Sequence, residues 1–85
     1  MEDFGEKIKV IEKNNEVLLK LFNKESSIYF GLWLTSLKIE YRYFSVFNED
    51  DMVYNEDNES DYEFLFWISH NDWEKIKEDL LWEKG

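Results

Sequence analysis

Apolar and polar residues alternate over the first quarter of the chain. In the segment 6–22, EKIKVIEKNNEVLLKLF, this alternation on either side of Asn14-Asn15 predicts two strands joined by a tight turn. Asn suits that turn because it tolerates the positive φ of a two-residue hairpin connection. The inward face would be formed by Ile8 and Val10 on the first strand and by Val17, Leu19 and Leu21 on the second. A helix is the alternative, since Phe4, Ile8, Ile11, Leu18, Leu19 and Phe22 also fit a helical stripe.

The middle of the chain is rich in aromatic and β-branched residues, which favour strands. The segment 27–47, SIYFGLWLTSLKIEYRYFSVF, predicts strands over 27–34 and 38–47 with a turn near Thr35-Ser36. Gly31 interrupts the first of these strands. A glycine there indicates a bulge or a close approach of another part of the protein to the backbone.

A strand and a helix are predicted at the C-terminal end. The run Tyr62–Ser69, YEFLFWIS, is apolar on both faces, which is typical of a strand inside a sheet. Asn71 is the predicted N-cap of a helix over about 72–84, with Glu74 at the capping-box position. The residues at helical spacing that would face the sheet are Trp73, Ile76, Leu80 and Leu81, whereas Trp82 would point elsewhere.

These elements predict an α+β fold in a single domain, residues 1–85: a five-stranded antiparallel sheet with one C-terminal helix packed on one face. A domain of this length has a thin core. Aromatic residues make up 19% of the chain, and their large apolar area favours a folded protein over a disordered acidic one.

The net charge of -10 belongs to one contiguous third of the chain. Between Tyr43 and Glu74 there is no Lys or Arg, while the remaining segments, 1–42 and 75–85, contain equal numbers of acids and bases. Most of the charge falls in a predicted loop at 48–61, named here the acidic segment. The ten acids of this third are Glu49, Asp50, Asp51, Glu56, Asp57, Glu59, Asp61, Glu63, Asp72 and Glu74. Such asymmetry bears on partners and on electrostatic steering rather than on fold.

The cellular compartment is predicted from what the chain lacks. It has no cysteine, and its first ten residues contain no hydrophobic signal segment. The longest apolar run, 28–34, is far shorter than the roughly 20 residues of a membrane-spanning helix. We therefore expect a cytoplasmic protein without a membrane partner.

Groups suited to catalysis are scarce. His70 is the only histidine, there is no cysteine, and the three glycines form no phosphate-binding loop. The paired carboxylates lie among polar residues that would not raise a pKa as a general acid requires. The alternation of Asn55, Asp57, Glu59 and Asp61 matches a calcium loop only weakly, since the turn glycine is missing. We expect no enzyme activity, no cofactor and no metal.

Binding to another molecule is the class of function that remains. The overall negative field would repel nucleic acid, so the expected partner is a basic protein that itself binds nucleic acid. The chain is similar to DNA-mimic inhibitors, of the anti-restriction or anti-CRISPR type, in size and charge alone. Two alternatives remain: an immunity protein for a nuclease toxin, and a small adaptor that uses an aromatic sheet surface. The predicted partner-binding residues are Glu49, Asp50, Asp51, Tyr54, Glu56, Asp57, Glu59, Asp61, Tyr62 and Glu63. The oligomeric state is left open.

Overall fold

The computed structural model describes residues 4–47 and 62–85, which we call the frame. In chain order its elements are β1 (Ile8–Glu12), β2 (Glu16–Leu21), α1 (Lys24–Ser36), β3 (Tyr41–Phe47), β4 (Tyr62–Ser69), α2 (His70–Ile76), a 3-10 turn (Lys77–Asp79) and β5 (Trp82–Lys84). The strands form one sheet in the order β3-β4-β2-β1-β5. Neighbours are antiparallel except β1 and β5, which are parallel. The predicted α+β class is confirmed, but the purely antiparallel sheet is wrong.

The N-terminal hairpin is confirmed, and the helical alternative for residues 6–22 is wrong. β1 pairs with β2 in a register that places Lys9 opposite Lys20 and Glu12 opposite Val17. The connection is a bend at Asn14-Asn15. Within the frame, Lys38 is the one non-glycine residue with positive φ, so the hairpin turns without the positive φ expected of these asparagines.

Residues predicted to form a strand at 27–34 form the helix α1 instead. The Asn23 side chain caps this helix by accepting a hydrogen bond from the Ser26 backbone N–H at 3.1 Å. The buried residues Ser27, Phe30, Gly31 and Leu34 recur at the spacing of one helix face. Burial of this face outweighs the strand preference of the aromatic residues, because propensity is a weak prior beside tertiary packing.

The core lies between the two helices and one face of the sheet. Phe30 on α1 meets Phe66 on β4 edge-on, with ring centroids 5.1 Å apart. A Cβ at Gly31 would lie 3.2 Å from Oη of Tyr41, so there is a close approach at this glycine, but Gly31 lies in a helix and not in the strand that the sequence predicted. The buried cluster comprises Ile8, Val10, Val17, Leu19, Leu21, Phe30, Leu34, Ile39, Phe64, Phe66, Ile68, Trp73, Ile76 and Leu80.

The C-terminal helix starts earlier and ends earlier than predicted. Ser69, not Asn71, is the N-cap of α2, and its hydroxyl oxygen accepts from the Asp72 N–H at 3.2 Å. Beyond the 3-10 turn the backbone becomes extended at Leu80, and β5 follows. Trp73, Ile76 and Leu80 are buried as predicted.

Two side chains near this end lie differently from the prediction. Leu81 is 40% exposed, so it does not belong to the buried face. Trp82 is half-buried against the core instead of pointing away. Both differences follow from the extended backbone of β5, in which successive side chains point to opposite faces of the sheet.

Candidate protein-binding surface

The frame is almost electrically neutral. It contains eleven Asp and Glu residues and ten Lys and Arg residues, a net charge of -1, so nine of the ten negative charges come from outside it. The acidic segment alone carries seven acids and no base. Because β3 ends at Phe47 and β4 begins at Tyr62, the segment joins two strands that are hydrogen-bonded neighbours in the sheet. Seven of the ten net negative charges are therefore attached to one end of one hairpin.

The structure places two of the predicted partner-binding residues. Tyr62 lies opposite Phe47 and Glu63 lies opposite Val46, at the start of β4. The Tyr62 ring stacks near Phe64, with centroids 6.3 Å apart. The predicted residues outside the described part of the chain are Glu49, Asp50, Asp51, Tyr54, Glu56, Asp57, Glu59 and Asp61.

Apolar side chains are exposed along β3, beside the acidic segment in the chain. Tyr43 is 46% exposed, Phe44 49% and Val46 42%. Tyr43 pairs with buried Phe66 and therefore lies on the helix side of the sheet, while Phe44 and Val46 lie on the opposite side. Both sides of β3 thus present apolar surface to solvent, and such surface next to concentrated charge is typical of protein-binding sites.

An apolar cleft of about 270 Å³ runs between α1 and β3. Ile28 and Leu32, both exposed, form its helix side, and Tyr41 and Tyr43 form its sheet side. Phe66 closes the floor. The cleft extends the exposed apolar surface of β3 onto the helix.

A second cleft, of about 710 Å³, lies where β2 begins, β3 begins and β4 ends, and its lining mixes charged residues such as Glu40 and Arg42 with apolar ones such as Ile39 and Trp67. Its wall includes Arg42, which binds Glu16 through Nη2 and Oε2 at 2.6 Å and lies 5.8 Å from the centroid of the Trp67 ring. The carboxylate of Glu16 is therefore held in an ion pair rather than presented to a ligand. Asp72 also lines this cleft, and its backbone N–H is bound by Ser69.

His70 takes part in the joint between β4 and α2. Its backbone N–H donates to the Asn15 carbonyl oxygen at 3.3 Å, and its ring nitrogens lie 3.6 Å from Glu12 and 3.9 Å from Glu74. These contacts fix the end of the first hairpin to the helix. They agree with a structural role for this histidine. Among residues 4–47 and 62–85, no three His, Asp or Glu side chains are grouped so as to hold a metal ion.

The pKa of Glu74 is shifted by the neighbouring Lys77. The hydrogen bond from Lys77 lowers the Glu74 pKa below its ordinary value of 4.5, and the same bond raises the Lys77 pKa above 10.5. Nζ of Lys77 and Oε2 of Glu74 lie 2.6 Å apart, and both side chains are partly exposed to solvent. A carboxyl group whose pKa is lowered is unsuited to act as a general acid.

Sequence reasoning missed the exposed residues of α1. Ile28 and Leu32 were assigned to a strand, although they are four residues apart on one face of a helix. The helical spacing of Ser27, Phe30, Gly31 and Leu34 was the available signal. If these four residues form the buried face of a helix, Ile28 and Leu32 lie outside the core.

Comparisons with protein-family models, with curated proteins and with solved structures found no match. None of the helices in the described part of the chain has the length and apolar character needed to cross a bilayer.

Proposed function

We propose that this protein is a non-enzymatic acidic inhibitor that binds the basic, nucleic-acid-handling surface of a partner protein. The observation that carries the proposal is the separation of charge: the frame has a net charge of -1, while the acidic segment has seven carboxylates and no base. A partner that handles nucleic acid has a basic surface, and carboxylates on a protein scaffold are complementary to it.

The attachment of the acidic segment supports this proposal. Its two ends are continuous with β3 and β4, which pair over all seven residues of β3, from Tyr41–Ile68 to Phe47–Tyr62. Tethering both ends of a segment to a rigid hairpin reduces the conformational entropy that it loses on binding. The exposed residues Val46 and Tyr62 lie at this end and Phe44 lies in the middle of β3, and these three would supply apolar contacts.

An adaptor role is the second candidate, favoured by the exposed apolar surface of Tyr43, Phe44 and Val46. An adaptor would bind through this surface, whereas the inhibitor binds mainly through the acidic segment. An immunity protein against a nuclease toxin has the same surface physics as the inhibitor and differs in the identity of its partner.

The test compares two variants that each lose seven negative charges. The first replaces every acid of the acidic segment by its amide: Glu49, Asp50, Asp51, Glu56, Asp57, Glu59 and Asp61. The matched control replaces acids elsewhere: Glu2, Asp3, Glu25, Glu40, Glu78, Asp79 and Glu83. Glu6 is kept in the control because it accepts backbone hydrogen bonds from Phe22 and Asn23, and Glu16 is kept because it pairs with Arg42.

Each protein is immobilised and exposed to a lysate of cells that naturally contain the protein, at low salt, with and without added DNA or RNA. We expect the wild type and the control to retain the same basic protein, and the segment variant to lose it. Added nucleic acid should release it, because inhibitor and nucleic acid compete for one surface. Equal retention by both variants, or a complex indifferent to nucleic acid, would contradict the proposal.

A further inference from the structure

Both helices of the frame pack on the same face of the sheet, so the other face, named here the open face, has no helix of the frame on it. An antiparallel sheet with one face in water normally carries polar side chains on that face. The open face instead has an apolar strip that crosses from β1 to β3. The register of the strands assigns to this strip Ile11, Leu18, Phe44, Val46, Leu65 and Trp67.

The strip is only partly covered by the protein itself. Phe44 and Val46 are exposed, and Leu65 and Trp67 are partly buried. Apolar surface that contains aromatic side chains is typical of protein-binding sites. The strip spans three strand spacings and about four residues along the strands, or roughly 20 Å. A helix of about 13 residues has this length.

Two lysines lie directly opposite each other beside the strip. Lys9 on β1 pairs with Lys20 on β2, and Lys20 lies opposite Leu65 of the strip. Like charges at opposed positions, with Cβ atoms about 4.5–5.5 Å apart, destabilise a sheet. Neither lysine forms an ion pair within the frame. Glu83, the neighbour of Lys9 on β5, is paired with Lys7 instead, with Oε2 and Nζ 3.9 Å apart.

The other acids at this face leave the two lysines without a partner in the described part of the chain. Glu16 is held by Arg42 at 2.6 Å. Glu63 is a diagonal neighbour of Lys20 on β4 but forms no ion pair with it, and Glu40 precedes β3 beside Arg42. The cationic pair is therefore uncompensated within the frame. A local rule that is broken without compensation in the fold is expected at functional sites.

We propose that the open face binds an acidic amphipathic helix of a partner protein. A carboxylate of that helix lies between Lys9 and Lys20 and accepts charge-assisted hydrogen bonds from both ammonium groups, which removes their mutual repulsion. The apolar side of the helix covers the strip, in which Phe44 and Trp67 are the aromatic residues. Helices are a usual cover for the face of a sheet, as α1 and α2 are on the other side.

The open face is made of residues of the frame alone. The net charge of the frame is -1, so the strands that form this face do not carry the charge that would repel an acidic helix. No residue of the acidic segment takes part, and binding at the open face is therefore independent of the proposed function. The variant that loses the seven carboxylates of the acidic segment keeps this site and should bind the same helix.

The first test uses a displayed library of random peptides of about 13 residues, selected on the immobilised full-length protein at physiological salt. We expect one enriched class to combine Asp or Glu with apolar residues spaced three and four apart, as on one face of a helix. Such enrichment is diagnostic because the whole chain has a net charge of -10, which disfavours acidic peptides. With one of these peptides bound, NMR chemical shifts of the labelled protein should change on β1, β2 and β4 and not on the exposed side of α1.

The second test uses Lys20→Glu, which separates binding from folding. This change replaces the like-charge pair with Lys9 by a pair of opposite charges, so the Tm should rise by a few degrees. The affinity for the selected peptide should nevertheless fall about tenfold or more. Lys24→Glu makes the same change of charge at the start of α1 and should bind like the wild type. Phe44→Thr should also weaken binding, whereas Leu32→Ala on α1 should not.

Several results would overturn the proposal. Selection of no acidic class of peptide is one, and equal affinity of Lys20→Glu and Lys24→Glu for the selected peptide is another. Shift changes confined to α1 would place the binding site elsewhere. A mass of twice 10.5 kDa that falls to that of one chain in Phe44→Thr would identify a second copy of the protein as the cover of the open face.

Discussion

Trp82 packs edge-on against Trp73, with ring centroids 5.0 Å apart and planes at 81°. Trp73 belongs to α2 and Trp82 to β5, so this contact joins the helix to the strand that follows it. The indole N–H of Trp82 also donates to the Lys77 carbonyl oxygen at 3.0 Å. Together these contacts hold the 3-10 turn closed and direct the chain back along β1.

Replacing Trp82 should therefore destabilise the whole C-terminal end. Fully buried Trp→Ala substitutions cost about 3–5 kcal/mol, and Trp82 is only partly buried, so Trp82→Ala should fall at or below the lower limit. Trp82→Phe keeps a ring against Trp73 but loses the hydrogen bond, which is worth about 0.5–1.5 kcal/mol. The free energy of unfolding, measured by urea denaturation, should be highest for the wild type, lower for Trp82→Phe and lowest for Trp82→Ala. Equal stability of all three would show that β5 is not anchored in this way.

Local patterns predicted the fold correctly where one periodicity dominated. The first hairpin alternates on both sides of Asn14-Asn15 except at Ile11 and Leu18, and β4 was predicted with its observed bounds, Tyr62–Ser69. The strand at 41–47 was predicted three residues too long at its start. In each of these strands, the order of apolar and polar residues along the strand itself shows which side chains are buried.

The remaining elements depend on contacts distant in sequence. The aromatic and β-branched residues of α1 favour strands when taken one by one. This segment forms a helix because one helical face packs on the sheet, where Phe30 contacts Phe66. β5 has three residues and pairs in parallel with β1, which is more than seventy residues away from it in the chain. The charge asymmetry of the candidate site was readable from the sequence, but the exposed edge at β3 was not, because strand order is a property of the sheet.

The start of α2 gives a test of the revised helix boundary. The Ser69 hydroxyl accepts a hydrogen bond from the Asp72 N–H, and N-cap substitutions by Ala cost about 0.5–2 kcal/mol. Ser69→Ala should therefore lower the free energy of unfolding within that range. Asn71→Ala, at an exposed position inside the helix, should change it much less. A larger loss in the Asn71 variant would restore the boundary expected from the sequence.

The pair of Glu74 and Lys77 predicts a pH dependence of stability. Because the pKa of Glu74 is lowered in the folded protein, the stabilisation that its carboxylate provides is fully present above pH 4.5, the ordinary pKa of the group. This stabilisation is lost as the pH falls through the pKa of the folded state. Because the pKa of Lys77 is raised in the folded protein, the stabilisation that its ammonium group provides is fully present below pH 10.5, the ordinary pKa of the group. This stabilisation is lost as the pH rises through the pKa of the folded state. Lys77→Gln should therefore lower the Tm slightly at neutral pH and not in acid, where Glu74 is protonated.

Because this pair is exposed, added salt should reduce the difference between wild type and Lys77→Gln. Lys75→Gln is a suitable control, since it removes a neighbouring charge while leaving the bond between Glu74 and Lys77 intact. A Tm difference for Lys77→Gln that persists in acid would indicate that Lys77 stabilises the protein by packing.

Gly31 and Tyr41 provide a test of the packing of α1 on the sheet. Gly→Ala inside a helix gains about 1 kcal/mol from helix propensity, but here the new Cβ would lie 3.2 Å from Oη of Tyr41. Gly31→Ala should therefore gain less than that amount in the wild type. In a Tyr41→Phe background, which lacks the hydroxyl, the gain should be larger. Thermal denaturation of the four proteins measures this coupling, and additive effects would contradict the contact.

The proposed inhibitor should bind its partner at a rate that depends on salt. Electrostatic steering raises association rates between complementary surfaces and weakens as salt screens the charges, with a Debye length of about 10 Å at 0.1 M. The association rate of the wild type should fall as salt is raised, while the dissociation rate should change less. Once the partner is purified, stopped-flow or biosensor measurements over a series of salt concentrations give both rates.

The two charge variants show whether the acidic segment itself is responsible for this steering. They have the same net charge, but the segment variant has lost its seven carboxylates while the control keeps them beside β3 and β4. The segment variant should associate slowly at low salt and show little salt dependence. The control should retain most of the wild-type rate, because steering depends on where the charge lies near the contact as well as on its total. If the two variants associate at the same reduced rate, the total charge attracts the partner and the acidic segment is not its binding site.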